Sequence, residues 1–262
     1  MEEGQYGQEI PLAGPREVRE LASSFNKMAG QVKRSQSQLR HYVADVSHQL
    51  KSPLTSIHGF AQALLDGTAA DEVARQRAAT IISDESQRMK RQVDELLELA
   101  RMQAGQLKME HEQVNLNELL EHCREVFEVQ AEEKKVKVKI YAELLLPCSG
   151  DFDRLEQAFS NILDNAIKNS PDGEEIKIIG KNIENRLVEV RVIDNGPGIP
   201  PEQLPHLFER FYQTGGVRSG FGLGLAIARE IVIVHGGAIE ARSEPGEGAE
   251  FIIRLPARRA AK

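Results

Sequence analysis

The spacing of apolar residues between positions 43 and 64 is the strongest constraint on what this chain folds into. The steps are 3, 4, 4, 3, 4 and 3 residues, and the stripe consists of Val43, Val46, Leu50, Leu54, Ile57, Ala61 and Leu64. This periodicity predicts one long amphipathic helix, which Asp66-Gly67-Thr68 ends. A second helix is predicted from about residue 71 to residue 104, with Gly105 closing it.

Two long helices joined by a short turn form a helical hairpin. Because each helix carries one apolar stripe, the hairpin buries both stripes best when two copies dimerise into a four-helix bundle. Upstream, the apolar residues at positions 18, 21, 25, 28 and 32 have the steps of a heptad seam. So short a seam cannot bury itself, and this segment also requires a partner chain.

The pattern changes near residue 108. Strands are predicted at residues 136–141, 175–180, 186–193, 238–242 and 249–255. Three helices are predicted. One has Asn117 as its N-cap, one spans residues 151–169 and one follows Gly222. Strands and helices in this order predict a sheet covered by helices on one side, an α/β sandwich. The expected fold class is therefore a multidomain α and α/β protein.

Length and composition exclude some classes of protein. The 262 residues suit one large or two modest domains, and the net charge of −7 argues against a general nucleic-acid binder. Cys123 and Cys148 have no partner at a metal-ligand or redox spacing, which predicts two buried or incidental thiols. No apolar run approaches the roughly 20 residues that span a bilayer, so we expect a cytosolic chain.

His48 is a candidate nucleophile. It lies two residues before Leu50, which places it roughly 200° around the helix from the apolar stripe. It is therefore expected to face solvent, where a neutral imidazole can attack phosphorus through its unprotonated nitrogen. The ring of Pro53 clashes with the carbonyl of Gln49, so a bend is expected just after His48.

Three polar residues share one face of the helix predicted over residues 151–169. Asn161, Asn165 and Lys168 recur at steps of 4 and 3. The amide oxygen of Asn165 is a suitable hard ligand for Mg²⁺, which keeps several waters and takes few ligands from the protein.

Glycines mark two later segments. Asp194 ends a strand, where its carboxylate can accept a hydrogen bond from an adenine amino group, and Gly196 and Gly198 leave space for a flat ring. The segment Gly220-Phe-Gly222-Leu-Gly224-Leu225 precedes a helix, so successive N–H groups can converge on phosphate oxygens. No strand leads directly into it, which argues against a Rossmann site, and residues 214–219 suit a lid.

The order and spacing of these blocks resemble the ATP-binding half of a sensor histidine kinase. Asn161–Lys168 is similar to the N-box of that family, Asp194–Gly198 to its G1 box and Phe208–Phe211 to its F-box. The resemblance implies the Bergerat ATP-binding fold with ATP and Mg²⁺ as cofactors. It also implies that Asn165 binds the metal, that Asn161 lies beside the phosphates and that Lys168 meets their charge.

Residues 47–54 resemble the H-box of the same family, so His48 is the expected phosphorylation site. Gln49 stands where the family has an acid that accepts the second ring proton of the histidine. An amide cannot take up a proton, so autophosphorylation is expected to be slower by about 10²–10⁴-fold if the carboxylate is required. Ser52, one turn on, is either the family's small residue that positions water for dephosphorylating the partner or a simple exposed serine.

The segment Pro15–Ala29 resembles the second helix of a HAMP linker, which couples a membrane sensor to a cytosolic kinase. The predicted domains are a HAMP-like linker over 1–35, a dimerisation and histidine-phosphotransfer hairpin over 36–110 and a catalytic ATP-binding domain over 111–262. The first HAMP helix would precede Met1, so we expect a cytosolic fragment of a membrane protein.

The resemblance implies autophosphorylation of His48, phosphotransfer to an aspartate of a response-regulator receiver domain, and a homodimer formed through the hairpin. With Gln49 in place, a phosphatase or a regulator-binding scaffold with little kinase activity is an alternative. A third hypothesis is an ATPase of the gyrase/Hsp90 type or a protein serine kinase of the same nucleotide fold. Neither of these accounts for residues 47–55 on a dimerising hairpin.

Overall fold

The computed structural model describes residues 10, 11, 13, 15–103, 106, 109–212 and 222–257. Within these ranges the description leaves out the side chains at positions 31, 33–43, 45, 48, 49, 103 and 185. The chain divides into two compact units, Met1–Met89 and Lys90–Lys262.

The first unit contains a helical hairpin, as the two apolar stripes predict. Helix α1 spans Arg16–Leu65, and helix α2, Glu72–Gln103, begins in this unit and ends in the second. Asp66 holds the turn, because its carboxylate accepts hydrogen bonds from the backbone N–H and the hydroxyl of Thr68 at 2.9 and 2.5 Å. Gly67 has a φ of +76°, a conformation that favours glycine.

Helix α1 is continuous over its 50 residues. It passes without a break through residue 35, where a boundary between linker and hairpin is predicted from the sequence. The physical reason is that no helix-breaking residue lies between Gly30 and Pro53. Pro53 itself is buried inside the helix.

Several large apolar side chains of the first unit are exposed. Leu21, Met28 and Leu54 are 72%, 62% and 56% exposed, and all three lie on the apolar stripes noted above. A second copy of the chain would cover such a stripe, and the homodimer stays a prediction. Among the helices that the structure describes, none has the length and apolar character needed to cross a bilayer.

Among the described residues, the second unit contains seven strands in two sheets. The strands are β1 Glu112–Val114, β2 Lys137–Ala142, β3 Cys148–Gly150, β4 Glu175–Ile183, β5 Leu187–Asp194, β6 Ala238–Ser243 and β7 Ala249–Pro256. The large sheet has the order β2-β4-β5-β7-β6, with β2 and β4 parallel and the other neighbours antiparallel. β1 pairs with β3 in a small antiparallel sheet that the sequence did not predict.

Helices cover one face of the large sheet. They are α3 Leu116–Val126, the short α4 Glu128–Glu133, α5 Phe152–Asn169 and α6 Gly224–Val234. Val188, Val190 and Val192 of β5 face these helices and are almost fully buried, as are Leu155 and Ile162 of α5. The predicted α/β sandwich is confirmed.

The opposite face of the sheet carries a network of charges. Glu189 is buried and accepts hydrogen bonds from Arg191 and Arg254 at 2.7 Å each, and Arg254 also donates to Glu240 at 2.8 Å. Burial raises the pKa of the Glu189 carboxyl and the two guanidinium groups lower it, with a net shift downward. Paired charges thus satisfy the polar groups on the face of the sheet opposite these four helices.

The start of α3 corrects one prediction. Its N-cap is Asn115 rather than Asn117, since the side chain of Asn115 accepts a hydrogen bond from the N–H of Asn117 at 3.1 Å. The helix starts earlier because Leu116 is fully buried and has to face the sheet. Asn117 instead binds the loop after β2, through the carbonyl of Glu143 and the N–H of Leu145, each at 2.9 Å.

Both cysteines are free and buried, as their spacing predicts. Burial raises the pKa of Cys123 to about 12 and that of Cys148 to about 11. Both thiols are therefore protonated at neutral pH and are poor nucleophiles.

His235 is a buried histidine at the end of α6. Its Nε2 accepts the N–H of Asp151 at 3.0 Å, so Nδ1 carries the proton and donates to the carbonyl of Ile231 at 2.8 Å. A Cβ at Gly150 would lie 2.4 Å from the ring, which leaves room only for glycine. Burial lowers the pKa of His235, although the Ile231 carbonyl and Asp151 raise it. The neutral ring thus joins α6 to the start of α5.

The stability of the second unit is expected to fall in acid because of this histidine. Below a pH of about 6.5 the unfolded chain protonates His235 whereas the folded chain does not. The free energy of unfolding should then decrease by up to about 1.4 kcal/mol per pH unit, until the pH reaches the lowered folded-state pKa. Urea denaturation, followed by circular dichroism in steps from neutral pH downward, measures this slope.

His235→Asn is expected to be less stable at neutral pH and to show a shallower slope. His122→Asn is the matched control for stability at neutral pH, which it should leave nearly unchanged because His122 is exposed. An unchanged slope in His235→Asn would contradict the interpretation.

Candidate functional site

Helix α5 presents the polar residues that the sequence singled out. Asp151 caps the helix by accepting the N–H of Arg154 at 3.1 Å. A Cβ at Gly224, the first residue of α6, would lie 3.3 Å from Oδ1 of Asn161. The Nδ2 of Asn161 is buried and has no hydrogen-bond partner among the described residues. The structure therefore brings the Asn161 amide and the start of α6 together.

Asn165 and Lys168 lie further along α5. The Oδ1 of Asn165 accepts a hydrogen bond from Nδ2 of Asn169 at 3.2 Å. The ammonium of Lys168 lies 2.5 Å from the carboxylate of Asp164 and is partly exposed. Asp164 is held in turn by Nε2 of Gln130 on α4, at 3.0 Å.

Asp194 is the last residue of β5 and is only 2% exposed. Its Oδ1 accepts hydrogen bonds from the N–H groups of Gly196 and Ala249, at 2.8 and 3.2 Å. Burial raises the pKa of this carboxyl, and the two N–H groups partly offset that effect. The carboxylate is thus fixed at the end of a central strand.

Gly196 and Gly198 allow a close approach of backbone segments. A Cβ at Gly196 would lie 2.9 Å from the carbonyl of Asn169 at the end of α5. Gly198 has a φ of +71°, and a Cβ there would lie 2.0 Å from the carbonyl of Glu244. These glycines therefore serve the packing of the loop against two neighbours, and the space that they leave for a flat ring stays a prediction.

Gly222 and Gly224 allow the backbone conformation and the close contacts at the start of α6. Gly222 has a φ of +67°, and a Cβ there would lie 2.4 Å from the carbonyl of Tyr212. Its own carbonyl accepts the N–H of Phe211 at 2.9 Å, which closes the segment that carries the Phe208–Phe211 block. Gly224 and Leu225 form the first turn of α6, where unpaired N–H groups favour an anion.

Phe208 supports the same segment, since its ring packs edge-on against Phe251 of β7 with the centroids 6.5 Å apart. Gly220 and the predicted lid, residues 214–219, lie outside the described residues.

The phosphoacceptor candidates lie in the first unit, on α1. The backbone of His48 and Gln49 is helical, and their side chains are outside the described residues. Ser52 is exposed one turn later. Its position at four residues after His48 places both residues on one side of the helix.

Three protein families match separate parts of the chain. Residues 150–259 match the histidine kinase-, DNA gyrase B- and HSP90-like ATPases, residues 38–105 the His Kinase A (phospho-acceptor) domain and residues 1–34 the HAMP domain. The sensor histidine kinase YclK of Bacillus subtilis is 36% identical over 97% of this chain. The chain belongs to the sensor histidine kinases. It spans 54% of the length of YclK.

Solved histidine kinases have a similar structure. A complex of the histidine kinase ThkA with the response regulator protein TrrA is 27% identical, covers 86% of this chain and 64% of that chain, and has a TM-score of 0.69. Full-length ShkA in complex with AMPPNP is 29% identical, covers 85% of this chain and 47% of that chain, and has a TM-score of 0.66.

Sequence reasoning missed residues that support the site without belonging to a motif. Ser243 accepts the N–H of Ile199 at 2.8 Å and donates to the carbonyl of Gly248 at 2.5 Å, so it joins the Asp194 loop to the turn after β6. The N–H of Gly246 also binds the carbonyl of Pro197, at 2.8 Å. The two glycines of Gly246-Glu-Gly248 indicate a turn, but the sequence does not indicate which loop this turn contacts.

Replacing Gly198 by alanine is expected to destabilise the second unit strongly. Gly246 is the matched control, because it has a φ of +86° but nothing within 4 Å of a Cβ. Gly246→Ala should cost about 1 kcal/mol for the left-handed conformation alone, and Gly198→Ala at least about 2 kcal/mol more for the clash with Glu244. Urea denaturation of both variants measures the difference, and equal costs would contradict the close approach.

Proposed function

We propose that this chain is the catalytic portion of a sensor histidine kinase that phosphorylates itself on His48 and passes the phosphoryl group to an aspartate of a response-regulator receiver domain. The observation that carries the nucleotide half of the proposal is the buried Asp194 carboxylate, fixed at a strand end by two N–H groups. The phosphoacceptor half rests on the match of residues 38–105 to the phospho-acceptor domain.

The second unit would bind ATP between the Asp194 loop and the start of α6. Asp194 would accept a hydrogen bond from the adenine amino group, with Gly196 and Gly198 beside the ring. The ShkA structure with AMPPNP supports a nucleotide in this type of fold.

The residues at the start of α6 suit the phosphates. The N–H groups around Gly222, Gly224 and Leu225 can donate to phosphate oxygens, and Gly220 would extend this set. The unpaired Nδ2 of Asn161, beside Gly224, is a donor that a phosphate oxygen would satisfy. Lys168 would add positive charge.

The amide oxygen of Asn165 fits a magnesium ion, because Mg²⁺ takes oxygen ligands and keeps several waters. When bound, the ion would neutralise charge on the phosphates. Asn165 is partly exposed, so its side chain can turn away from Asn169 to reach a ligand.

His48 would attack the γ-phosphorus through an unprotonated ring nitrogen. A nitrogen–phosphorus bond forms as the bond to the β-phosphate oxygen breaks, and ADP leaves. The proton on the other ring nitrogen then needs an acceptor. Gln49 cannot supply one, so we propose that autophosphorylation of this chain is impaired.

A second candidate follows from the same residue. With Gln49 beside His48 and Ser52 exposed one turn on, the chain would act mainly as a phosphatase of the regulator or as a scaffold that binds it. Ser52 would then position the attacking water.

The partner in either case is a receiver domain, which the complex of ThkA with TrrA supports. The exposed apolar stripes of the hairpin support a homodimer. The HAMP match supports a parent protein in which a membrane sensor precedes this cytosolic part. The net charge of −7 gives no basis for a nucleic-acid partner.

Gln49→Glu is expected to raise incorporation of phosphate from labelled ATP by about 10²–10⁴-fold, because it restores a proton acceptor beside His48. Gln49→Glu combined with His48→Ala is the control and should incorporate none. The label should be acid-labile and stable in base, as a phosphohistidine is. Absence of label in the Gln49→Glu chain would overturn the kinase proposal, and steady ATP hydrolysis without label would favour an ATPase.

Asp194→Asn is expected to weaken ATP binding about 10- to 100-fold, since a hydrogen bond to a charged group contributes about 1.5–3 kcal/mol. Calorimetric titration with ATP measures this loss. Glu184→Gln, an exposed position on the turn before β5, is the control. Unchanged affinity in Asp194→Asn would contradict the assignment of the adenine site.

A further inference from the structure

The chain that leads into α1 is attached to the side of the helix by one residue, Asn26. Its Oδ1 accepts a hydrogen bond from the N–H of Ile10 at 2.8 Å, and its Nδ2 donates to the carbonyl of Ile10 at 2.9 Å. One side-chain amide thus pairs both polar backbone groups of one residue, as a neighbouring strand would. We call these two hydrogen bonds the Asn26 latch.

The latch brings the chain back along the helix, because Ile10 and Asn26 are 16 residues apart. Asn26 lies about 15 Å along the axis from Arg16, the first residue of α1, at 1.5 Å per residue. The chain from Ile10 to Pro15 reaches at most about 18 Å. These two residues therefore hold the segment between them alongside the first turns of α1.

The segment lies on one side of α1 and leaves the apolar seam open. Ala22, one turn before Asn26 on the same side, is only 5% exposed, although the side chains around it are exposed or half-buried. The seam residues Val18 and Leu21 lie roughly 100° around the helix from this side and are exposed. The latch and the seam thus use different sides of the same turns.

The start of α1 has little else to hold it in helical form. Pro15 is the N-cap and makes no side-chain hydrogen bond to the free N–H groups of the first turn. Arg16 and Glu20 form an ion pair at 2.8 Å, but both side chains are largely exposed, so the pair contributes little. The stability of these turns therefore depends on the segment that Asn26 holds against them.

We propose that the Asn26 latch is a switch that orders the first turns of α1. While the latch is closed, the attached segment supports the turns from Arg16 to Asn26. Tension on the chain before Ile10 acts on the two hydrogen bonds, and when they break these turns fray. The seam residues then lose the helical spacing on which contact with a second copy depends. This inference goes beyond the proposed function and does not depend on ATP or His48.

Asn26→Ala in the full chain tests the switch, because the latch and helix propensity predict opposite results. Alanine is a better helix former than asparagine, so propensity alone would slow hydrogen exchange in these turns. Loss of the latch should instead speed exchange about three- to tenfold, the range for two exposed hydrogen bonds. The acceleration should appear at the N–H of Ile10 and at those of residues 20–26. Mass spectrometry with fragmentation to single amides measures both.

Ser24→Ala is the matched control. Ser24 is exposed and lies roughly 200° around the helix from Asn26, so its replacement changes propensity without touching the latch. It should leave exchange unchanged or slow it. Asn26→Asp keeps the acceptor and loses the donor, and should fall between Asn26→Ala and the unmutated chain. The amides of β5 should exchange alike in every variant, which checks that the fold is intact.

Two results would overturn the switch. Exchange in Asn26→Ala that is unchanged, or slower as in Ser24→Ala, would show that the latch does not hold the segment. Faster exchange at Ile10 alone would show that the segment is held but does not order the helix. Faster exchange at Ile10 and across residues 20–26 is the result that supports the proposal.

Discussion

Burial of one face of α5 against the sheet is the interaction on which the candidate site depends. Leu155, Ile162 and Ile167 are almost completely buried, and each such side chain contributes about 1.5–3 kcal/mol relative to exposure. That burial fixes the rotation of the helix about its axis. The polar residues Asn161 and Lys168 are then held on the remaining faces, beside α6 and α4, without needing contacts of their own to orient them.

Close packing of backbone segments is the second constraint. The loop after Asp194 is pressed between the end of α5 and the turn that follows β6, and Ser243 ties it to that turn. Only residues without a Cβ fit at these contacts. The loop is thus preorganised by the protein itself, so a ligand would not have to pay the entropy of ordering it.

The sequence predicted the elements well because their signals are local. The apolar stripes gave α1 and α2, and alternation gave the five long strands. Prediction from the sequence failed where a contact between residues far apart in the chain decides the local structure. β1 and β3 are three residues each and exist because they pair with one another, and Asn115 caps α3 because Leu116 must be buried. Motif spacing likewise singled out Asn161 and Asp194, whereas the hydrogen bond from Arg154 to Glu98 joins residues 56 positions apart and has no signature along the chain.

Helix α1 has a mechanical consequence. At 1.5 Å per residue its 50 residues extend about 75 Å, and Pro53, which has no N–H, interrupts the backbone hydrogen bonds at the carbonyl of Gln49. A continuous α-helix resists torsion, so a twist applied near Arg16 would reach the backbone at position 48 before it meets the interruption at Pro53. The backbone orientation at position 48 is therefore coupled to that at the start of the helix, roughly 50 Å away.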